Sequence, residues 1–156
     1  MKMVKANVIL LVFAILGSCS GSYETPVVTP PDDWQLIKAG DKFTFRAPSD
    51  LQPRNVKGID SFVGEYTSPT LELTFDYGWY SNSLNDEGYS GSWTTIDGRR
   101  AWIATKDDKT GVHFPQVHDT DKKTKLTMFA KLKGSSLETV HKIFRSIEFS
   151  KDPDSN

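Results

Sequence analysis

The chain has 156 residues, 19 Lys and Arg against 20 Asp and Glu, and a net charge of −1. That length suggests one domain, and so even a balance leaves no basic stripe of the kind that tracks a nucleic-acid backbone. A single cysteine, Cys19, excludes an intrachain disulfide, so the folded part must rely on its core.

Residues 1–18 read as a targeting peptide. Lys2 and Lys5 give a positive start, Val8 to Leu16 is an unbroken apolar run, and Gly17 and Ser18 are small. The run is nine residues long, well short of the roughly 20 that a spanning helix needs. The pattern is that of a secretory signal. The order Leu16-Gly17-Ser18-Cys19 resembles the lipobox of bacterial lipoproteins. That resemblance implies cleavage before Cys19, a diacylglyceryl group on its sulfur and, often, acylation of the new amino terminus. An attachment point needs no second thiol. Two or more acyl chains hold a protein on a membrane stably, whereas one holds it marginally. The alternative is a plain signal peptide, or an N-terminal anchor, with an incidental cysteine. Losing residues 1–18 removes Lys2 and Lys5 and no acid, which moves the charge from −1 to −3. Ser20 is not the aspartate that signals inner-membrane retention in many enteric lipoproteins. The resemblance therefore implies an outer-membrane address, provided the organism is Gram-negative.

Residues 19–33 combine the lipidated cysteine with a tether rich in Ser, Thr, Pro and Gly, whose prolines favour extended chain. One globular domain is expected over 34–150, followed by a polar tail, 151–156. Within the domain, strand signals dominate. "KFTFRAP" alternates and stops at Pro48. "LQPRNVKG" reads as a turn-rich connection with room for a short helix. "IDSFVGEY" is a strand in which Gly64 weakens the pattern or marks a bulge. "LELTFDYGWY" alternates clearly, with Leu71, Leu73, Phe75, Tyr77 and Trp79 on one parity. "SNSLNDEGYSGS" is a polar loop.

"SWTTI-DG-RRAWIAT" is the most specific local signal. Asp97-Gly98 suits a type I′ turn, whose central residues both need positive φ. A two-residue turn sets Ile96 against Arg99, Thr95 against Arg100, Thr94 against Ala101 and Trp93 against Trp102. The tryptophans then face one another at a non-hydrogen-bonded site, where side chains come closest. The pair is expected to pin the hairpin, with a ligand platform as the alternative. "GVHFPQVH" is a further strand, which Pro115 should place at an edge or break. "KLTMFAKLK" sets Leu126, Met128, Ala130 and Leu132 on one face. The period then changes: Leu137, Val140, Ile143 and Phe144 form a helical stripe over 136–146. Ser135 and Glu138 are spaced as a capping box, and His141, Lys142 and Arg145 lie near the carboxyl end. "SIEF" returns to strand. The fold class is α+β: an antiparallel sheet of six or seven strands, covered by at least one helix.

"FTFRAPSDL" near the start of the domain and "IFRSIEF" at its end resemble the PsbP-like fold of photosystem II extrinsic proteins and small bacterial exported proteins. The resemblance implies an antiparallel sheet sandwiched by helices and a role in binding other proteins. It transfers no site residues.

Chemistry is sparse. His113 and His118 are separated by an odd number, which on a continuous strand puts them on opposite faces. "HDTDKKTK" holds a D-x-D fragment at Asp119 and Asp121, but lacks the glycine and distant glutamate of a calcium loop. Lys122, Lys123 and Lys125 would oppose a cation. "GYSGS", 88–92, fails the G-x-S-x-G spacing of a serine elbow. The acid pairs Asp32-Asp33, Asp86-Glu87 and Asp107-Asp108 lie in expected loops or the tether. Asp60 and Asp76 read as exposed alternates within strand patterns. No glycine-rich phosphate loop joins a strand to a helix. No metal, cofactor or catalytic constellation is expected.

"FDYGWYSN" leaves Tyr77, Trp79 and Tyr80 as candidate binding residues, because Tyr and Trp are favoured where proteins meet. The expected function is that of an envelope lipoprotein held to the membrane through Cys19. It would act as a non-enzymatic accessory or binding module for a protein partner, such as an envelope complex or a toxin it inhibits. The alternatives are a small-molecule carrier or sensor with an aromatic-lined pocket and, behind it, a hydrolase.

Overall fold

Alternation of apolar residues produces two antiparallel sheets rather than one. The computed structural model describes residues 29–84 and 88–151. Cys19, the peptide 1–18, the acids Asp86 and Glu87, and most of the expected tether and tail lie outside the described residues. The strands are β1 (Gln35–Ala39), β2 (Phe43–Ala47), β3 (Gln52–Arg54), β4 (Phe62–Thr67) and β5 (Leu71–Gly78). They continue as β6 (Ser90–Ile96), β7 (Arg99–Lys106), β8 (Lys109–Phe114) and β9 (Lys125–Leu132). The helix α1 (Leu137–Arg145) and β10 (Glu148–Phe149) close the domain. Seven strands form one sheet in the order β3-β4-β5-β9-β8-β7-β6, and β1-β2-β10 form the other. This is a β-rich α+β fold.

The large sheet is two meanders joined where β9 pairs with β5. That pairing sets Leu71, Leu73, Phe75 and Tyr77 opposite Leu132, Ala130, Met128 and Leu126. Val112 and Phe114 extend the same face across β8. Period-2 sequences thus converge on one apolar surface. The small sheet covers it: the Phe43 ring lies 5.1 Å from Phe75 and 6.1 Å from Tyr77, and Phe114 lies 5.0 Å from Phe149. The helix contributes Val140, Ile143 and Phe144, all buried, against β2, β8 and β9.

The Asp97-Gly98 hairpin has the expected register, Trp93 opposite Trp102 included, with ring centroids 5.3 Å apart. Both turn residues have positive φ, 48° and 72°. The hairpin tip also ties the sheets together. Asp97 Oδ2 accepts from Phe149 N–H at 2.8 Å and from Arg99 Nη1 at 2.9 Å, and the Arg99 guanidinium lies 4.6 Å from the Phe149 ring centre.

Several expectations are corrected. The helix is capped by Ser136, whose hydroxyl accepts from Thr139 N–H at 3.1 Å, not by Ser135. Glu138 instead pairs with Lys142 at 2.8 Å, the i,i+4 spacing. Leu137 is exposed, since it precedes the turn that meets the sheet. "LQPRNVKG" yields the short edge strand β3 and no helix. Strand β8 is internal, and Pro115 ends it rather than placing it at an edge. The 81–92 stretch is not loop throughout, because β6 starts at Ser90, and Leu84 within it is buried. Gly64 makes no bulge: Val63, Gly64 and Glu65 pair in sequence with Asp76, Phe75 and Thr74.

Candidate binding site

β5 carries the site because its alternation outlasts its pairing. Tyr77 is the last inward residue, 6% exposed, with its hydroxyl 2.8 Å from His118 Nε2. Gly78 has φ 152°, a conformation that side-chain-bearing residues rarely adopt, and its missing Cβ leaves room for Ser61. The chain turns out of the sheet there. Trp79, although it shares parity with the core residues, is therefore 55% exposed, and Tyr80 is 76% exposed.

A frame from the β8–β9 connection holds Trp79. Its indole N–H donates to Asp121 Oδ2 at 3.3 Å, and Lys123 Nζ sits 4.8 Å from the ring centre. Asp121 also accepts from the Thr124 hydroxyl and from Lys123 N–H. These hydrogen bonds, Thr124's first, hold its carboxyl below the usual carboxylate range. Asp121, the second acid of the D-x-D fragment, thus positions an aromatic ring. Among the described residues, no group of three His, Cys, Asp or Glu lies close enough to hold a metal ion.

Asp60, Ser61, Phe62, Tyr77, Gly78, Trp79, Tyr80 and Thr124 line a shallow, open depression of about 530 Å³. Phe62 is 40% exposed, and Ile59, in the adjoining loop, is 97% exposed. Four of the seven large apolar side chains exposed among the described residues therefore gather at this end of β4 and β5. Such concentration differs from the scattered single exposures that are ordinary on a protein surface. The three residues singled out from sequence divide accordingly. Tyr77 forms the floor and belongs to the core, while Trp79 and Tyr80 form the exposed wall. Phe62 and Ile59 were missed. Phe62 shares strand parity with Tyr66, which packs against the core, and Ile59 lies beside polar loop residues, so neither has a local signature of exposure.

The opposite face of the large sheet carries a buried polar row. Asp76, Thr127 and His113 are cross-strand neighbours on β5, β9 and β8. Thr127 Oγ1 donates to Asn82 O, so it accepts from His113 Nδ1, 2.9 Å away. Ser81 Oγ lies 2.8 Å from Asp76 O and 2.9 Å from Thr127 Oγ1. The cluster clamps the 79–84 segment, and so the base of the Trp79–Tyr80 turn, onto the sheet. Asp76 is not the exposed alternate expected from sequence: its Oδ1 is buried, with no hydrogen-bond partner among the described residues.

Burial, then the nearby Lys125 charge, lowers the His113 pKa below 6.5. Burial and Arg145 do the same to His141. Burial thus favours the neutral form of both histidines in the fold. Unfolded, they bind protons more readily, so their contribution to stability is complete above about pH 6.5 and is lost as pH falls through that value. Urea midpoints are expected to drop between pH 7.5 and pH 5.5. His141→Gln should reduce the drop, and an unchanged difference would refute the assignment.

No family model matches the chain, and no curated protein matches it significantly.

Proposed function

We propose that the chain is a bacterial envelope lipoprotein, anchored through Cys19, whose folded body binds a protein partner with the Ile59–Phe62–Trp79–Tyr80 surface. The observation that carries the binding role is the gathering of exposed aromatic and aliphatic side chains around one depression. Its openness suits a protein surface better than an enclosed small molecule, which is normally buried on most sides. Trp79 is held in place by Asp121, so little side-chain freedom is lost on docking. Tyr80 adds an amphipathic ring of the kind favoured at binding hot spots. The lipobox supports the anchor, and the proline-bearing segment after it would set the body off the membrane. An outer-membrane address follows from Ser20 in a Gram-negative organism.

The finer fold reading, a PsbP-like sandwich, also belongs here. Its two terminal motifs become β2 and the α1–β10 unit, and β10 pairs with β2. One α-helix is present among the described residues, where that family places helices on both faces.

A photoreactive amino acid at Tyr80, with crosslinking in intact bacteria, tests the binding role. One predominant partner is expected in the membrane fraction, and Trp79→Ala should reduce its capture at least tenfold without altering the fold by circular dichroism. Cys19→Ser should move the protein out of the membrane fraction. Capture of nothing, or of a partner indifferent to Trp79, would dismiss the surface. Membrane retention of the Cys19→Ser chain would dismiss the anchor.

A further inference from the structure

Strand β6 ends the large sheet on the side away from the aromatic surface. Its seven residues, Ser90 to Ile96, include no charge and no proline, and Ser90 to Trp93 are all exposed. The remaining sheet edges are guarded. β3 is three residues long and contains Pro53 and Arg54, and β10 is two residues long and contains Glu148. β1 carries Lys38, and its Gln35 side chain is bonded to Pro48 O and Leu51 O. Proteins blunt free edges with such devices, so a long, uncharged edge without them is a site for strand addition.

The hairpin register fixes what this edge offers. Ile96 and Arg99 flank the two-residue turn as a hydrogen-bonded pair, and the pairs alternate from there. Gly91, Trp93 and Thr95 therefore direct their N–H and C=O groups away from β7. Among the described residues, no strand takes up that side.

We propose that a second copy of the chain adds to this edge, β6 against β6, antiparallel about a two-fold axis at Trp93. The register sets Trp93 opposite Trp93 of the second copy, and Gly91 opposite its Thr95. All three outward residues are then bonded, through about six main-chain hydrogen bonds. The neighbouring registers push one of the three past the strand or into the Asp97-Gly98 turn. On the outer face, the Trp93–Trp102 pair continues into its symmetry equivalent as one aromatic row. Gly91 of the second copy has no side chain, which leaves space beside Thr95 for Arg100, whose guanidinium lies 3.8 Å from the Trp93 ring centre. No charged side chains oppose one another across the axis, so the contact is isologous and self-complementary. The partner-binding surface lies toward the other end of the strand order and stays free.

The test uses full-length Trp93→Cys in bacterial membranes under mild oxidation. Facing residues of a hydrogen-bonded antiparallel pair have Cα atoms about 5.5 Å apart, within disulfide reach. A band at twice the chain mass is expected, above the background of the parent chain with its own Cys19. Adding Thr95→Pro, which removes one outward N–H, should reduce the band at least fivefold. Lys38→Cys on β1 should remain monomeric. Sedimentation equilibrium of the unsubstituted chain in detergent is a second readout, with a dimer expected and dissociation in the Thr95→Pro chain. A monomer in both measurements, or equal crosslinking from Lys38→Cys, overturns the proposal. A disulfide to a different protein also overturns it, by assigning the edge to a foreign strand.

Discussion

Phe43→Ala is expected to destabilise the domain by about 3–5 kcal/mol, the cost of removing a fully buried aromatic ring. The ring is 1% exposed and stands between the sheets. Its centroid lies 5.1 Å from Phe75, and 6.1 Å from each of Phe45, Tyr77 and Phe149. Those partners come from β2, β5 and β10, so the ring joins the small sheet to the large one. Neighbouring rings cannot collapse into the space without losing contact with the opposite sheet. A domain of this size has a total stability of about 5–15 kcal/mol, so the variant would be close to unfolding. Tyr80→Ala, on the surface, should change stability by less than about 0.5 kcal/mol. Urea unfolding followed by tryptophan fluorescence measures both. A loss below about 1 kcal/mol for Phe43→Ala would mean that this aromatic cluster does not hold the sheets together.

Local patterns in the sequence were strong where one rule acted alone. Asp97-Gly98 determined a register across the whole β6–β7 hairpin, because a two-residue turn leaves no freedom in pairing. The alternation from Leu71 to Tyr77 and from Leu126 to Leu132 identified the paired strands β5 and β9, and the spacing of Val140, Ile143 and Phe144 identified the helix. What was not legible depended on distant partners. Whether Phe43 and Phe45 join the large sheet or form another is set by the return of β10 to β2, a contact between the two ends of the domain. Pro115 carried a local rule that held, since it ended a strand. The edge position that the same rule offered for this strand failed, because β8 has neighbours on both sides. The candidate site divides in the same way. Trp79 and Tyr80 were visible as aromatics around a glycine, but parity put Trp79 inside. Only the outward turn at Gly78 and the hydrogen bond to Asp121, 42 positions later, account for its exposure.

Gly64 shows how a residue can be read by the wrong rule. In a strand, replacing glycine with alanine ordinarily helps, because it reduces the freedom of the unfolded chain by about 0.4–1 kcal/mol. Here Gly64→Ala is expected to destabilise by about 1–3 kcal/mol, the cost of overpacking. A Cβ at position 64 would lie 2.3 Å from Phe75 Cε1 and 2.5 Å from its Cζ. The Phe75 ring has nowhere to go: Phe43 lies 5.1 Å from it, Phe62 5.3 Å and Tyr66 6.5 Å. The strand pairing is regular at this point, so the glycine serves the ring opposite it and not the backbone. A double-mutant cycle separates these roles. Phe75→Leu alone should be costly, because it opens a cavity. Combined with Gly64→Ala it should cost less than the sum of the two by at least about 0.5 kcal/mol, since the shorter side chain vacates the space that Cβ needs. Strict additivity would place the strain in the backbone instead. Phe62 gives the result a functional reading, because the same ring packs on Phe75 and lines the aromatic depression. Overpacking at Gly64 should therefore weaken partner capture at Tyr80 as well as stability, and the Phe75→Leu background should restore part of both.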